Sequence, residues 1–414
     1  METPTTELIQ HLFLLLLVIV AAGMVAGMIA SRLKLPDVAL FIIAGMVIGQ
    51  GLHWINVASS SLTNQLILVA GSSIILFDGG RNIRLRGLKQ VGWTVGLLSV
   101  PGVLITVGIV GAAVHWLFGI GLLYALLAAA VIASTDPASI IPVFRQVTIR
   151  ERVRETVESE SAFNDATGSI ITFALLAAAT GKSSIDAGAV TLDFLITAFG
   201  GIGVGLIVGF AVVYLVAHTR IGVLRDYTTI AMIGTALGAY LVGDMLHVSG
   251  FMATFVAGLI WGNSQNFGLH MVGKNDEMTH FSDNITVIMR MLIFILLGSQ
   301  VNFVLLADYW WQSLIAVIVL MAIARPATVF ASALPDLKSR WSLKEMTFMI
   351  WVRETGVIPA ALSGMLAGMG VKHADIIASV TFMAIMLTIL LQASTTAWMA
   401  RKLGMDLEAD NGKQ

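Results

Sequence analysis

The sequence predicts an all-α polytopic membrane protein of about thirteen transmembrane helices. They form two inverted six-helix repeats joined by a linker helix, with helices 5 and 12 broken. Three observations carry that fold class. Of 414 residues, 57% are hydrophobic and only 12% charged, with a mean hydropathy of +0.88, whereas soluble domains carry about 25% charged residues. Apolar stretches long enough to cross a bilayer, about 18 residues or more, recur along the whole chain. Lys and Arg fall almost wholly into alternate loops. The composition excludes a soluble enzyme, a disordered chain and a disulfide scaffold. A formal net charge of −1 offers no basic face to nucleic acid, and the absence of Cys excludes thiol catalysis and zinc–thiolate sites.

In chain order the spans fall near 8–30, 35–51, 63–80, 91–116, 119–144, 157–180, 188–217, 226–244, 247–263, 281–301, 303–333, 345–369 and 374–399. Loops after odd spans, with the C-terminal tail, hold nineteen Lys and Arg; loops after even spans hold only Lys182 and Lys372. Cations stay on the cytoplasmic side. The N-terminus is therefore expected outside and the C-terminus inside, in the cytoplasmic (inner) membrane. The alternation also supports the span count, since a missed helix would scramble it. Three further cations, Arg290, Arg325 and Arg353, lie within spans.

Thirteen spans divide into six, a linker and six, and an offset of seven spans inverts the second repeat against the first. Inverted repeats with interrupted helices in matching positions mark secondary transporters. Span 5 contains Ser134-Thr135-Asp136-Pro137 and then Pro142; span 12 contains Arg353-Glu354-Thr355-Gly356 and then Pro359. Proline removes a helix hydrogen bond and clashes with the preceding turn. Two ordinary kinks would show the prolines alone. Charge at both breaks, in matching repeat positions, favours breaks that line a protein cavity, because charge facing lipid is costly.

Ionisable residues inside spans are functional candidates. The clear cases are Asp78 in span 3, Asp136 in span 5, Glu160 and Asp165 in span 6, Asp244, Arg290, Arg325, and Arg353 with Glu354. Asp165 is the deepest acid of span 6, about 12 Å from its cytoplasmic start at 1.5 Å per residue, near the middle of a core about 30 Å thick. Ser161 and Thr172 share its helix face, and Glu160 and Asn164 form the adjacent stripe. An oxygen-rich face at that depth suits a hard cation or a proton. Glu160, nearer the end of the core, can equally pair with an arginine, and Asp244 reads as structural. The eight His residues are scattered near span ends and build no metal site.

Thr135-Asp136-Pro137, followed by Glu160-Ser161-Ala162-Phe163-Asn164-Asp165, resembles the paired signatures of the cation:proton antiporter-1 family, in particular its prokaryotic NhaP-type members. Span count, orientation and length fit as well. The resemblance implies that Asp165 carries the ion and the proton, with Asn164 beside it. Ser161, Asp136 and the Thr135 carbonyl would join Asp165 around an alkali cation. Asp78 stands where the family has a Glu that reaches the ion through water, and Arg353 stands where an arginine pairs with the acid at Glu160. Family members are homodimers. By that pattern residues 1–90 and 218–302 form an interface domain, 91–182 and 303–400 a core transport domain, 183–217 the linker helix and 401–414 a cytoplasmic tail. No cofactor and no enzymatic activity are implied.

The chemistry also follows without the family. A carboxylate in a poorly hydrated cavity lets protons and cations compete for one site. If the site crosses only when occupied, it exchanges them. Asn164 cannot take up a proton, so exchange is expected to be electroneutral, Na+ (or Li+) against H+. A potassium/proton antiporter of the same architecture is the alternative. An intramembrane aspartyl protease would need Gly-x-Gly-Asp, and the nearest stretch, Leu241-Val242-Gly243-Asp244, lacks the first Gly. A phosphate loop at Gly181-Lys182-Ser183 would need Gly at Leu176. No channel filter of repeated carbonyls or acidic rings is present.

Overall fold

The computed structural model describes residues 4–33, 36–55, 57–58, 61–135, 147, 149–181, 187–217, 223–270, 275–301 and 303–406. Helices make up the fold, and the described residues contain no strand beyond one isolated bridge between Ile149 and Asp406. Nine of the described helices are long and apolar enough to cross a membrane. Four shorter apolar helices, Asp37–Gly51, Leu122–Val131, Gly250–Gly262 and Val357–Gly368, fall where the second, fifth, ninth and twelfth spans are expected.

The first repeat comprises α1 (Pro4–Leu33), α2 (Asp37–Met46, continued by a π-turn over Val47–Gly51), α3 (Leu62–Asn82), α4 (Leu85–Ser99), α5 (Pro101–Phe118), α6 (Leu122–Val131) and α7 (Glu151–Ala179). Ser61 caps α3 by accepting the Asn64 N–H at 3.2 Å. The expected fourth span is a kinked pair, because Pro101, at the start of α5, has no N–H to continue α4. Gly119, at φ 65°, ends α5 in the left-handed conformation that glycine adopts freely. The linker α8 (Ala187–Val216) packs on α9 (Thr228–Met245) and α10 (Gly250–Gly262).

The rest comprises α11 (Asn275–Ser299), α12 (Phe303–Val319), α13 (Arg325–Ala333), α14 (Leu343–Trp351), α15 (Val357–Gly368), α16 (Ala374–Leu387) and α17 (Ser394–Lys402). A π-turn over Leu320–Ala324 joins α12 to α13, and another over Thr388–Ala393 joins α16 to α17. Such turns inside helices concentrate at functional sites. A capping box of Ser342 and Glu345 starts α14.

Two of the helix crossings made on glycine are copies of one another. A Cβ at Gly45 would strike the Ile295 carbonyl, at Gly298 the Ile42 carbonyl, and at Gly49 the backbone of Ser299. In the other crossing a Cβ at Gly258 would strike the Phe77 carbonyl, at Gly80 the Phe255 carbonyl, and at Gly262 the Arg81 carbonyl. Ile42, Gly45 and Gly49 of α2 map onto Phe255, Gly258 and Gly262 of α10 at one constant spacing. Phe77, Gly80 and Arg81 of α3 map onto Ile295, Gly298 and Ser299 of α11 at another. The α2–α11 contact is therefore the α10–α3 contact with the repeats exchanged, as inverted repeats require. Small residues let backbones touch where lipid supplies no hydrophobic drive.

Candidate ion-binding site

The second expected break is present, and at the first the described residues show where the helix ends. α6 ends at Val131, and the chain leaves the helix through Ser134 and Thr135. α14 ends at Trp351, and α15 starts only after Gly356. A helix that stops inside a protein leaves its last carbonyls without donors and its C-terminal dipole uncompensated. Two buried arginines supply both needs. Arg353 donates to the carbonyls of Ile132 and Ala133 at 3.0 and 2.9 Å, closing the end of α6. Arg325 donates to Met349 O at 3.0 and 2.8 Å and to Val352 O at 3.4 Å, closing the end of α14.

The unwound residue of the first break is held by α7. The Thr135 N–H donates to Asn164 Oδ1 at 3.0 Å, the Asn164 amide donates back to Thr135 Oγ1 at 2.9 Å, and that hydroxyl is 2.9 Å from Ser161 Oγ. An aspartate at 164 could accept but not donate, so the clamp requires the amide. Asp165 is the next residue of α7 and is 5% exposed. The second break repeats the device: the Thr355 N–H donates to Thr388 Oγ1 at 3.0 Å, at the start of the π-turn after α16.

The expected pairing of Glu160 with Arg353 is not what forms. The carboxylate of Glu160 is forked by Arg325, through Nη1 to Oε1 and through Nη2 to Oε2 at 3.0 Å. Arg353 is committed to the end of α6 and also reaches Thr355 Oγ1 at 3.5 Å. The reason is geometric. A guanidinium in α13 can span Glu160 and the α14 carbonyls at once, whereas Arg353 turns its Nη2 to two carbonyls of the other break and its Nη1 to Thr355. Arg325 and Arg353 lie at nearly the same depth in their expected spans, so sequence position could not separate them. The motif Arg325-Pro326, a cation at a proline-marked helix start, is the signal that was available.

Asp78 stands apart from Thr135 and Ser161. Its carboxylate takes Arg81 at 2.9 and 3.2 Å, Asn82 at 3.3 Å and Ser282 at 2.5 Å. This cluster forms one wall of a cavity of about 410 Å³ between α3, α7 and α11. Ser159, Glu155 and Glu158 of α7 and Asp283 and Arg290 of α11 also line it. Asp136 lies outside the described residues. Beyond the cavity, α7 and α14 are fastened by Arg152, which grips Glu345 at 2.5 Å and stacks over Trp341 at 5.0 Å.

Comparison with known proteins places the whole chain in a family. The family model described as sodium/hydrogen exchanger, transmembrane, matches residues 14–402. The chain belongs to the sodium/hydrogen exchanger family. It is 30% identical over 366 residues to the Na(+)/H(+) antiporter ApNhaP of Aphanothece halophytica, covering 87% of this chain and 69% of that one. It is 27% identical over 404 residues to the K(+)/H(+) antiporter NhaP2 of Shewanella sp. MR-4, covering 96% and 68%. The sodium proton antiporter MjNhaP1 of Methanocaldococcus jannaschii, solved at pH 8, superposes with a TM-score of 0.85 at 28% identity, covering 96% of this chain and 99% of that one. Membership of a transporter family, together with the apolar helices, makes this an integral membrane protein and points away from an enzyme.

Proposed function

We propose that this exchanger is a secondary active antiporter that moves Na+, and Li+ with it, against H+ by alternating access. The observation that carries this reading is the union of the α6 break with α7. A buried acid, Asp165, follows directly on the Asn164 that pins an unwound threonine. Asp165 holds either a proton or a cation, since burial makes a charged carboxylate costly. Ser161, Thr135 and Asp136 supply further oxygens, the ligand type that suits an alkali ion. Arg353 and Arg325 balance the half-helix ends and Glu160. Asp78, held by Arg81 and Ser282, acts at the cavity wall. Asn164 does not titrate, so one cation exchanges for one proton.

In this reading the antiporter is a homodimer in the inner membrane, N-terminus outside and C-terminus inside. Residues 1–90 and 218–302 form its interface domain, and 91–182 and 303–400 the core that moves, with 183–217 as the linker helix. The glycine crossings support the division, because they lock α2, α3, α10 and α11 into one unit. The similarity to potassium/proton antiporters of Shewanella favours K+ as the second reading. The test is proton movement in proteoliposomes on adding Na+, Li+ and K+ in turn, then with the membrane potential clamped by an ionophore. Na+ and Li+ should drive protons, and the steady cation gradient should ignore the potential. A response to K+ alone would choose the second reading, and a gradient that follows the potential would mean a second proton.

A further inference from the structure

A second cavity, about 200 Å³, lies between the end of α11 and the start of α16, with α15 as its third side. Five of its lining residues stand at the repeat equivalents of residues lining the 410 Å³ cavity. Asn82 and Ile83 of the larger correspond to Gln300 and Val301 of the smaller, at the same spacing that relates Gly80 to Gly298 in the glycine crossings. Glu155, Glu158 and Ser159 on α7 correspond to Asp375, Ala378 and Ser379 on α16, again at one spacing. That last spacing also carries Thr135 onto Thr355, the two threonines whose N–H groups are held at the breaks. The match comes from cavity lining, the crossings from backbone contact and the breaks from hydrogen bonds. All three relate the same two repeats.

We infer that the smaller cavity is the collapsed outward vestibule of the cation path, with Asp375 as the acid at its mouth. This rests on the antiporter reading. One site served from two faces needs two vestibules, and inverted repeats build the second from the equivalents of the first. In this conformation the vestibule lined by Arg84, Arg154 and Arg290 is the larger of the two, on the side of the basic loops. Its counterpart is half the volume and mostly apolar, lined by Leu297, Phe382 and Ala367. Asp375, in the first turn of α16, is the outward equivalent of Glu155. Where the inner mouth has several acids, the outer has this one.

The chain contains no cysteine, so single cysteines report cleanly. The experiment uses the full chain with Ala378→Cys, Ser379→Cys or Glu158→Cys, each first assayed for exchange, and a membrane-impermeant maleimide added to right-side-out or everted vesicles. Ala378→Cys and Ser379→Cys should label from the external face and Glu158→Cys only from the cytoplasmic face. Conditions that slow one should speed the other. Labelling of both outer positions from the cytoplasmic face, or of neither while exchange persists, would overturn the inference. Asp375→Asn adds an arm that labelling does not share. One unit charge about 10 Å from the path in water changes cation occupancy about twofold. The apparent KM for the cation should rise about twofold from the external face only, and less at high salt; an equal rise on both faces would also overturn it. A wild-type chain that moves no alkali cation would instead sink the antiporter reading itself.

Discussion

The pairing of Glu160 with Arg325 can be measured against the alternative with Arg353. Glu160 is 2% exposed, Arg325 3% and Arg353 1%, so no charge in this group is shielded by water. Replacing Arg325 by Met strands the Glu160 carboxylate, and breaking such a buried pair costs about 3–5 kcal/mol. The carbonyls of Met349 and Val352 also lose their donor, an unmet acceptor being worth about 1–3 kcal/mol. Replacing Glu160 by Gln as well removes the stranded charge, so the double variant should be more stable than the sum of the singles implies. Groups in one network couple by about 0.5–3 kcal/mol, and the bidentate geometry places Glu160→Gln with Arg325→Met at the upper end. Arg353 feels Glu160 through space but gives its hydrogen bonds elsewhere, so its cycle with Glu160→Gln should be smaller by about 1 kcal/mol or more. Melting in detergent can read this, though coarsely. At about 2.1 cal/mol/K per residue, a chain of 414 residues shifts by roughly 1 °C per kcal/mol. Denaturant titration separates the cycles better. Equal coupling in the two cycles, or a larger one with Arg353, would refute the assignment.

Three further outcomes follow from the same structure. Asp165→Asn should abolish cation-driven proton movement in proteoliposomes while leaving the melting temperature within a few degrees of the parent; exchange at the parent rate would contradict its role. Gly258→Ala should cost folded yield, because its Cβ meets the Phe77 carbonyl, whereas Gly234→Ala, with open space around it, should stabilise by up to about 1 kcal/mol through helix propensity. Burial alone would push the Asp336 carboxyl up, but hydrogen bonds from Thr94, Ser339 and Lys338 outweigh it and hold it below its ordinary value of 3.8. A depressed carboxyl contributes stability above its unfolded pKa that is lost as pH falls through the folded one. The stability gap between parent and Asp336→Ala should therefore be full at neutral pH and close below about pH 3.8, where a gap independent of pH would deny the charge any part.

Much of the fold was legible because its signals are one-dimensional. Span length is set by bilayer thickness, and the breaks by Pro and Gly beside ionisable residues. Ser161, Asn164 and Asp165 could be placed together because they share one helix, where spacing fixes the face. What failed was a contact across helices. Arg325 and Arg353 are the same residue type at similar depth, and only three-dimensional packing shows that one closes α14 while the other closes α6. The glycine crossings were also hidden. Forty glycines are scattered through apolar helices, and no sequence rule tells those that touch a facing backbone, such as Gly45 and Gly258, from those in open space. Glu345 was invisible for a related reason, since a capping glutamate is ordinary until Arg152 is seen closing on it.

The two arginines explain why the breaks can survive inside an apolar bundle, and why the proposed exchange would move them as a group. Each break leaves a carbonyl-rich end that must find cationic donors, and each arginine comes from an element other than the one it closes: Arg353 from the second break to α6, Arg325 from α13 to α14. Glu160 then ties Arg325 to α7, and Asn164 ties α7 back to the first break. The result is a closed circuit, α6 to Arg353, α14 to Arg325, Glu160 on α7, and Asn164 to Thr135, in which no member can shift alone without exposing a charge or an orphaned carbonyl. Motion within the circuit is costly, while motion of the circuit against the glycine-locked α2, α3, α10 and α11 breaks none of these bonds. Both cavities include α11 and helices that belong to or adjoin the circuit, so they lie along that seam. In the proposed antiporter an ion held at Asp165 would change faces by displacement of the whole circuit, with its ligands carried along.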